Sequence, residues 1–517
     1  MKKMNLLDMS KLLICLAMSA FVMTSCSDDE DPILPDPTLS IQGGEVIEVK
    51  RGEAISVTLN IDTDGNNREL VVYRGGGVLE VVPLNATATS FTYTNQTVPA
   101  DAEEGEEFEY EFAVFNTQGS SSPRVGLTVV TIAYDEIEVN GETLYNVDIP
   151  TDGIVEGDVK FITGRDYYIS ETLSFAAGSS LTIEEGVNVY MASDAAILVD
   201  IVINEGATIE ATGTRNNPIV ITSDRAISGD AAPGDWGVFN IRGGGAGTSS
   251  GTFQYVRLEY GNARNFRLQN VGDGTVIDHI QVYKADGEGI MPTDGNVNMS
   301  YLVATDCAGG GFRLGDAYSG RIQFGIAMTS ETLDDNSEIE IRETASPILA
   351  NFTVIGPGTE AENTSGIRMR SSSAGKIYNT IIADFPRRGL RLNDAVNITD
   401  LDGETVFAYS FIFNVPTDPY RDDTANGNPF RGFVDGNGDF QNPFFNNVTG
   451  FDAEGDPILT SIAGIGTNSF VPTAEETSDF NPNSISGFAS AAFVGAIQNA
   501  ANDWTTGWVK NSDGSIR

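Results

Sequence analysis

A chain of 517 residues that is 40% apolar and 20% charged has a globular rather than a disordered composition, with room for roughly two to four domains or one long repeat body plus a smaller module. Its 56 glycines against 30 Lys+Arg disfavour long helices and favour turn-rich β structure. A formal charge of −43 repels phosphate backbones and excludes DNA or RNA as a partner. It remains compatible with Ca²⁺ bridging surface carboxylates, and equally with simple solubility.

The chain begins Met1-Lys2-Lys3, followed by an apolar run from Leu12 to Met23 that has the length of a signal-peptide core and is too short to span a bilayer comfortably. The run ends in Met23-Thr24-Ser25-Cys26, which resembles a bacterial lipobox with Met23 where Leu is usual. The resemblance implies removal of residues 1–25 and lipidation at Cys26. Ser27, Asp28, Asp29, Glu30 and Asp31 resemble the surface-export signal of Bacteroidota lipoproteins, which implies a lipid anchor in the outer membrane with the body facing the exterior. Pro32, Pro35 and Pro37 stiffen the tether, 26–37. An ordinary secretory signal and a tether that stays on the periplasmic side are the alternatives. Of the three cysteines only Cys307 lies beyond this leader, so no intrachain disulfide is expected.

Residues 38–135 alternate as short strands, among them Val46–Val49, Ile55–Leu59, Leu70–Tyr73, Phe91–Tyr93 and Phe108–Phe112, predicting a β sandwich. Phe112–Gly119 and Val125–Val129 resemble the last two strands of surface Ig-like domains. Asp62-Thr63-Asp64-Gly65-Asn66 reads as a plain polar turn, with calcium as the alternative.

From 151 the texture changes. Leu181-Thr182-Ile183-Glu184-Glu185-Gly186 and Ile201-Val202-Ile203-Asn204-Glu205-Gly206 are near copies about 20 residues apart. Two strand classes then recur every 22–28 residues or so. One contains Val256-Arg257-Leu258, Ile280-Gln281-Val282 and Phe352-Thr353-Val354; the other contains Phe266-Arg267-Leu268, Phe312-Arg313-Leu314, Ile341-Arg342, Ile367-Arg368-Met369 and Leu390-Arg391-Leu392. The pattern predicts an all-β chain: an Ig-like sandwich, a right-handed parallel β-helix over 151–400, and a loop-rich C-terminal part and cap over 401–517. Asn and short Gly turns are expected at its corners. Trp504 and Trp508 are expected to close the open end of the solenoid, with sugar stacking as the alternative.

Gly234-Asp235-Trp236-Gly237, Phe253–Tyr260, Gly274–Val282, Tyr318–Gly325, Val494–Ile497 and Asp503–Trp508 together resemble a family of Bacteroidota outer-membrane lipoproteins with a right-handed, pectin-lyase-like β-helix and no defined activity. Relatives often carry an acidic run where this chain reads Asp306-Cys307-Ala308-Gly309, which puts a shared cation site there in doubt.

No catalytic constellation is read from the residues. Asp334-Asp335 is the one paired-Asp motif of note in the coils, and His279 is the only histidine; beside Asp278 at a strand start it reads as structural. Arg267, Arg313, Arg342, Arg368 and Arg391 are expected to form an outward ladder spaced ~4.8 Å per coil. It would either cradle an anionic polysaccharide or neutralise acids such as Asp316, Glu340, Glu343 and Asp394. Asp435, Asn437 and Asp439 are candidate Ca²⁺ ligands, with Phe440 where a calcium loop wants Gly. The leading expectation is a non-catalytic surface lipoprotein that binds glycans or serves adhesion. A calcium-dependent polysaccharide lyase, or another carbohydrate-active enzyme on the same fold, is the alternative; a purely structural envelope protein is the third reading.

Overall fold

A computed structural model describes residues 33–331, 337–362, 364–393, 405–422, 433–434, 440–441, 444–449, 459–466 and 469–517. Cys26, residues 27–31, Asp334, Asp335, Asp394 and the calcium candidates Asp435, Asn437 and Asp439 lie outside the described residues. The chain divides into two compact units. The first holds residues up to Ile47, Ile55–Asn95 and Phe108–Val129; the second holds Glu48–Ala54, Gln96–Glu107 and Val130–Arg517.

The first unit is antiparallel. Three strands run in the order Thr38–Ile41, Val57–Asp62, Ser90–Tyr93, and five in the order Val46–Lys50, Val125–Ile132, Glu107–Asn116, Asn67–Arg74, Gly77–Pro83. Alternation decides which side chains go inside: Val57, Leu59, Leu70, Val72, Phe112 and Leu127 are buried. The Tyr93 and Phe112 rings meet edge-on at 5.4 Å. The turn at Asp62–Asn66 uses its own oxygens, since Asp62 accepts the Asp64 N–H and Thr63 accepts the Asn66 N–H.

The second unit opens with the hairpin Asp135–Val139/Glu142–Asn146 and winds into parallel coils. One ladder runs from Glu142–Asn146 to Val448–Thr449. A separate sheet of eleven parallel strands runs from Ile154–Val155 to Asp418–Asp422. Register puts like on like: Leu258 sits on Val282, then Ala304, Ala327, Val354, Ile382 and Ile412, and every one is fully buried. Each coil hides its apolar edge only against its neighbours, so the repeat is the core.

The corners hold a surprise for the sequence reading. One corner is turned, coil after coil, by Tyr255, His279, Tyr301 and Phe324, and only then by Asn351 and Asn379, all with φ between 50° and 61°. A left-handed conformation costs a bulky residue about 1–2 kcal/mol. Here the rings recover it by stacking, with centroids 4.1 Å apart for Tyr255–His279, 4.3 Å for His279–Tyr301 and 4.8 Å for Tyr301–Phe324, each pair contributing about 0.5–1.5 kcal/mol.

Coil pairing continues past residue 400, since Phe411 and Ile412 pair with Val448 and Thr449. The described part of 459–517 lies along the flank of the solenoid as a strap, which corrects the expectation that it closes the end. Val494, Ala496, Ile497, Trp508 and Val509 pack on Val303, Ile326, Met328, Ile355 and Ile381. The strap is hydrogen-bonded to successive coils: Lys510 N–H donates to Gln281 (2.8 Å), Ala496 N–H to Thr353 (2.9 Å), Asn351 to the Phe493 carbonyl (2.7 Å) and Gly495 N–H to the Asn379 carbonyl (2.8 Å). Trp508 is fully buried, with its edge towards His279 and Tyr255. It is neither an end plug nor an exposed sugar platform.

Candidate functional site: an arginine face on the eleven-stranded sheet

The strands Phe266–Gln269, Ile290–Thr293, Phe312–Leu314, Ser337–Ile341, Ser365–Met369, Arg388–Leu392 and Asp418–Asp422 are successive rungs of the eleven-stranded sheet. Their apolar residues point inward: Phe266, Leu268, Phe312, Leu314, Ile339, Ile341, Ile367, Met369, Leu390 and Leu392 are buried. Alternation sends the residue between each pair outward. Register aligns Arg267 with Met291, Arg313 with Glu340, Glu340 with Arg368, Arg368 with Arg391 and Arg391 with Arg421.

Four of the five expected arginines therefore share one row, and the fifth does not. Glu340 takes the rung assigned to Arg342. Arg342 stands two residues further along the strand, beside Arg370, whose N–H reaches the Ile341 carbonyl. The physical reason is the inward pair: the coil buries Ile339 and Ile341, so the residue between them occupies the row. Ile339-Glu340-Ile341 carries the same apolar–charged–apolar signal as Phe312-Arg313-Leu314, and matching on arginine rather than on flanking apolar residues obscured it. Sequence reasoning also missed Glu288 and Arg421.

Glu340 is the hub. It accepts from Arg370 Nε (2.5 Å), pairs with Arg313 Nη2 (2.8 Å) and lies 3.8 Å from Arg368 Nη1. Arg313 also pairs with Glu288, Arg368 Nε donates to Asn393 (2.7 Å) and Arg342 pairs with Glu343 (3.1 Å). Burial pushes the Glu340 carboxyl up, but the Arg370 hydrogen bond and the fields of Arg313, Arg370 and Arg342 outweigh it and hold the group below its ordinary value. Burial lowers the Arg313 cation, Glu340 opposes that, and Arg342 and Arg370 add to it. At the other end Arg267 is lowered first by burial, then by Arg264 and Arg242, with Asp316 as the opposing charge. Its Nε is buried without a hydrogen-bond partner. The face is thus balanced around Glu340 and cationic around Arg267. Such a surface can hold carboxylates or sulfates by guanidinium forks.

The remaining titratable residues of note do other work. His279 hydrogen-bonds Asp278, which also accepts from Ser300 (2.6 Å) and Gln254 (3.1 Å). Burial raises Asp278, while the His279 contact and these donors bring it below the ordinary value. Cys307 is fully buried, and desolvation pushes its thiol far up, away from a reactive thiolate. Among the described residues no group of three or more His, Cys, Asp or Glu is placed to hold a metal ion.

A family model described as a pectate-lyase-like β-helix domain matches residues 153–247 and 242–435. Among solved structures the chain is similar to fibronectin(III)-like modules of Clostridium thermocellum CbhA (14% identity, TM-score 0.15, 20% of this chain and 48% of that one). The chain thus spans about half the length of that relative. It is also similar to pectate lyase PelI from Erwinia chrysanthemi, solved with tetragalacturonic acid (12% identity, TM-score 0.12, 80% of this chain and 99% of that one). No curated protein matches the chain. The family match spans more than half of the 517 residues and agrees with the parallel coils of the second unit: the chain belongs to the pectate-lyase-like β-helix domain family.

Proposed function

We propose that this protein recognises an acidic polysaccharide along the outer face of its eleven-stranded sheet. The observation that carries the reading is the arginine row, with a surplus of positive charge around Arg267 on a chain of net −43. Rungs ~4.8 Å apart present charge at a spacing that a polymer of uronates or sulfated sugars can follow. In this reading Cys26 anchors the protein to the outer membrane, residues 27–31 direct it to the exterior, and the first unit is an Ig-like spacer.

A second reading is depolymerisation by β-elimination, favoured by membership of the β-helix family and by the half-buried Arg313 set between Glu288 and Glu340. Such a reaction needs a base at C5 and a counter-charge for the uronate carboxylate. Arg313 would have to exchange one of these carboxylates for the uronate to fill the second role.

Both readings are tested on the purified full chain with polygalacturonate, alginate and a neutral glucan, with and without calcium. Recognition predicts retention of the acidic polymers alone, weakening with salt, and loss of retention on replacing the row arginines by alanine. Equal retention of the neutral glucan, or no change in the variants, overturns it. Ultraviolet absorbance from unsaturated uronate ends, abolished by Arg313→Ala, would select the lyase reading.

A further inference from the structure

The end of the arginine face around Arg267 is built differently from the end around Glu340. Register sets Asn240 beside Arg267 and Arg242 beside Gln269. With Phe239, Ile241, Phe266 and Leu268 buried on the inner side, these four side chains share the outer side as a square of two guanidinium groups and two amides. Neighbouring rungs are ~4.8 Å apart and residues two apart on a strand ~7 Å, so the square matches a small tetrahedral oxyanion with its hydrogen-bond shell. Arg264 stands exposed three residues ahead of Arg267. Along the row, Val202 precedes Asn240 and Met291 follows Arg267. Both are buried and apolar, so the row offers the square no polar partner on either side.

The hydrogen bonding of the square is lopsided. Asn240 donates to Gln269 (3.0 Å) and Arg242 donates one N–H to Asn204 (3.0 Å). The Arg267 side chain makes no hydrogen bond or ion pair among the described residues, and its Nε is buried without a partner. The Gln269 amide nitrogen is likewise uncommitted. Asn240 Oδ1, also buried and unpartnered, is an idle acceptor among idle donors. No carboxylate among the described residues lies within ion-pair distance of Arg242, Arg264 or Arg267. Asp316 opposes the Arg267 charge without pairing with it. Asp200 feels Arg242, but spends its own oxygen on the Val238 N–H (2.8 Å). A chain with 73 acidic residues against 30 basic ones leaves this cluster without a counter-ion of its own.

Such a cluster selects among anions. A carboxylate or a sulfate ester brings one charge, which three arginines opposed only by Asp316 exceed. A phosphate brings a charge of about −1.5 to −2 at neutral pH and three strong acceptor oxygens, enough for forks from two rungs at once. Inorganic phosphate also keeps a proton at neutral pH, and an ester keeps one below its second pKa of about 6, so the anion can donate to Asn240 Oδ1. Sulfate has no proton to give. The charge of −43 that turns away a nucleic-acid backbone does not bar a single small anion, because salt screens distant carboxylates beyond about 8 Å.

We infer that the square of Asn240, Arg242, Arg267 and Gln269 is a phosphate site, taking the free ion or a terminal phosphate monoester. The inference rests on the proposed function only in treating the arginine face as a ligand surface, and it names the group held at this end. The partly exposed Arg267 guanidinium swings onto the anion, and the space it leaves admits the anion's proton to Asn240. The test uses the purified full chain with inorganic phosphate, and with sulfate at equal ionic strength, read by calorimetry and, for phosphate, by phosphorus NMR. Phosphate should bind and sulfate should bind at least tenfold more weakly. Arg267→Ala should weaken phosphate about tenfold or more, and Arg313→Ala should leave it unchanged. Asn240→Asp supplies the missing carboxylate at nearly the same shape, so it should abolish phosphate binding while the melting temperature holds or rises. Phosphatidylcholine vesicles with and without phosphatidic acid separate the sources: capture by phosphatidic acid, competed by inorganic phosphate, identifies a lipid headgroup, and phosphate binding without capture identifies a soluble ligand. Phosphate binding without retention of polygalacturonate leaves this inference standing and sinks the polysaccharide reading; the reverse pattern does the opposite. No phosphate binding, equally tight sulfate, or full binding in both Arg267→Ala and Asn240→Asp overturns the inference.

Discussion

Replacing Arg165 by methionine isolates what one buried ion pair does for this fold. The Arg165 and Glu104 side chains are 4% and 1% exposed and pair with each other. Arg165 also donates to Glu48 (2.6 Å) and the Thr131 carbonyl (3.2 Å). Glu104 additionally accepts the Ala133 N–H (2.6 Å) and the Tyr167 hydroxyl (3.1 Å). Burial works against the Arg165 charge, yet Glu48 and Glu104 hold the cation above its ordinary value. Arg165→Met strands Glu104 as a buried charge with two neutral donors, which costs about 3–5 kcal/mol. With an unfolding entropy of about 2.1 cal/mol/K per residue, a cooperative unit of this size loses roughly 1 °C per kcal/mol, so the melting temperature should fall by about 4–6 °C. Adding Glu104→Gln removes the stranded charge and keeps an acceptor for the Ala133 N–H, so the double variant should regain about half of the loss or more. Melting followed by circular dichroism measures both. A single variant within about 1 °C of the parent, or a double variant no better than the single one, would refute the argument.

Glu338 is fully buried with neither carboxylate oxygen hydrogen-bonded, and desolvation together with Asp306 pushes it well above its ordinary 4.5. The folded chain therefore keeps a proton that the unfolded chain releases, so this contribution is fully present below about pH 4.5 and is lost as pH rises through the folded value. Glu338→Gln should flatten that slope and stabilise the protein near neutrality by about 1–3 kcal/mol; melting curves across pH check it. Trp508→Ala empties the space under the strap and should cost about 3–5 kcal/mol, exposing residues 459–517 to limited proteolysis while the coils resist. Gly325→Ala would drive a methyl into the Phe352 ring, an overpacking worth about 1–3 kcal/mol and visible as a lower melting temperature.

The coils were legible because a solenoid writes its register into the sequence. Ile280-Gln281-Val282 and Phe352-Thr353-Val354 turn their outer two residues into the same core coil after coil, and spacing alone finds them. The corners were less legible, since left-handed backbone is expected of Asn and Gly and here falls first to Tyr255, His279, Tyr301 and Phe324. What stabilises them is stacking between neighbouring coils, which a single corner does not reveal. The strap was illegible for a related reason. Val494-Gly495-Ala496-Ile497 has no period, and its partners Thr353 and Asn379 lie more than a hundred residues away.

The two ends of the arginine face separate neutralisation from recognition. Like charges on adjacent rungs, about 4.8 Å apart, repel by up to about 3 kcal/mol at an effective dielectric constant near 20, so the fold must supply counter-charge or leave the repulsion to a ligand. Around Glu340 it supplies counter-charge: Glu288 and Glu340 bracket Arg313, and Arg370 shares Glu340. Removing Arg313 takes the cation from Glu288 and leaves Glu340 to Arg370 and Arg368, so Arg313→Ala should lower stability as well as polymer retention. Around Arg267 the neighbours are Arg264 and Arg242, with Asp316 opposing. Arg267→Ala relieves repulsion in the free protein, so it should leave the melting temperature level or slightly higher while weakening retention of polygalacturonate and reducing its salt dependence. If the face exists only to balance internal charge, Arg267→Ala changes neither retention nor its salt dependence. Gain of stability with loss of binding at one residue is the signature of a cation kept for a ligand.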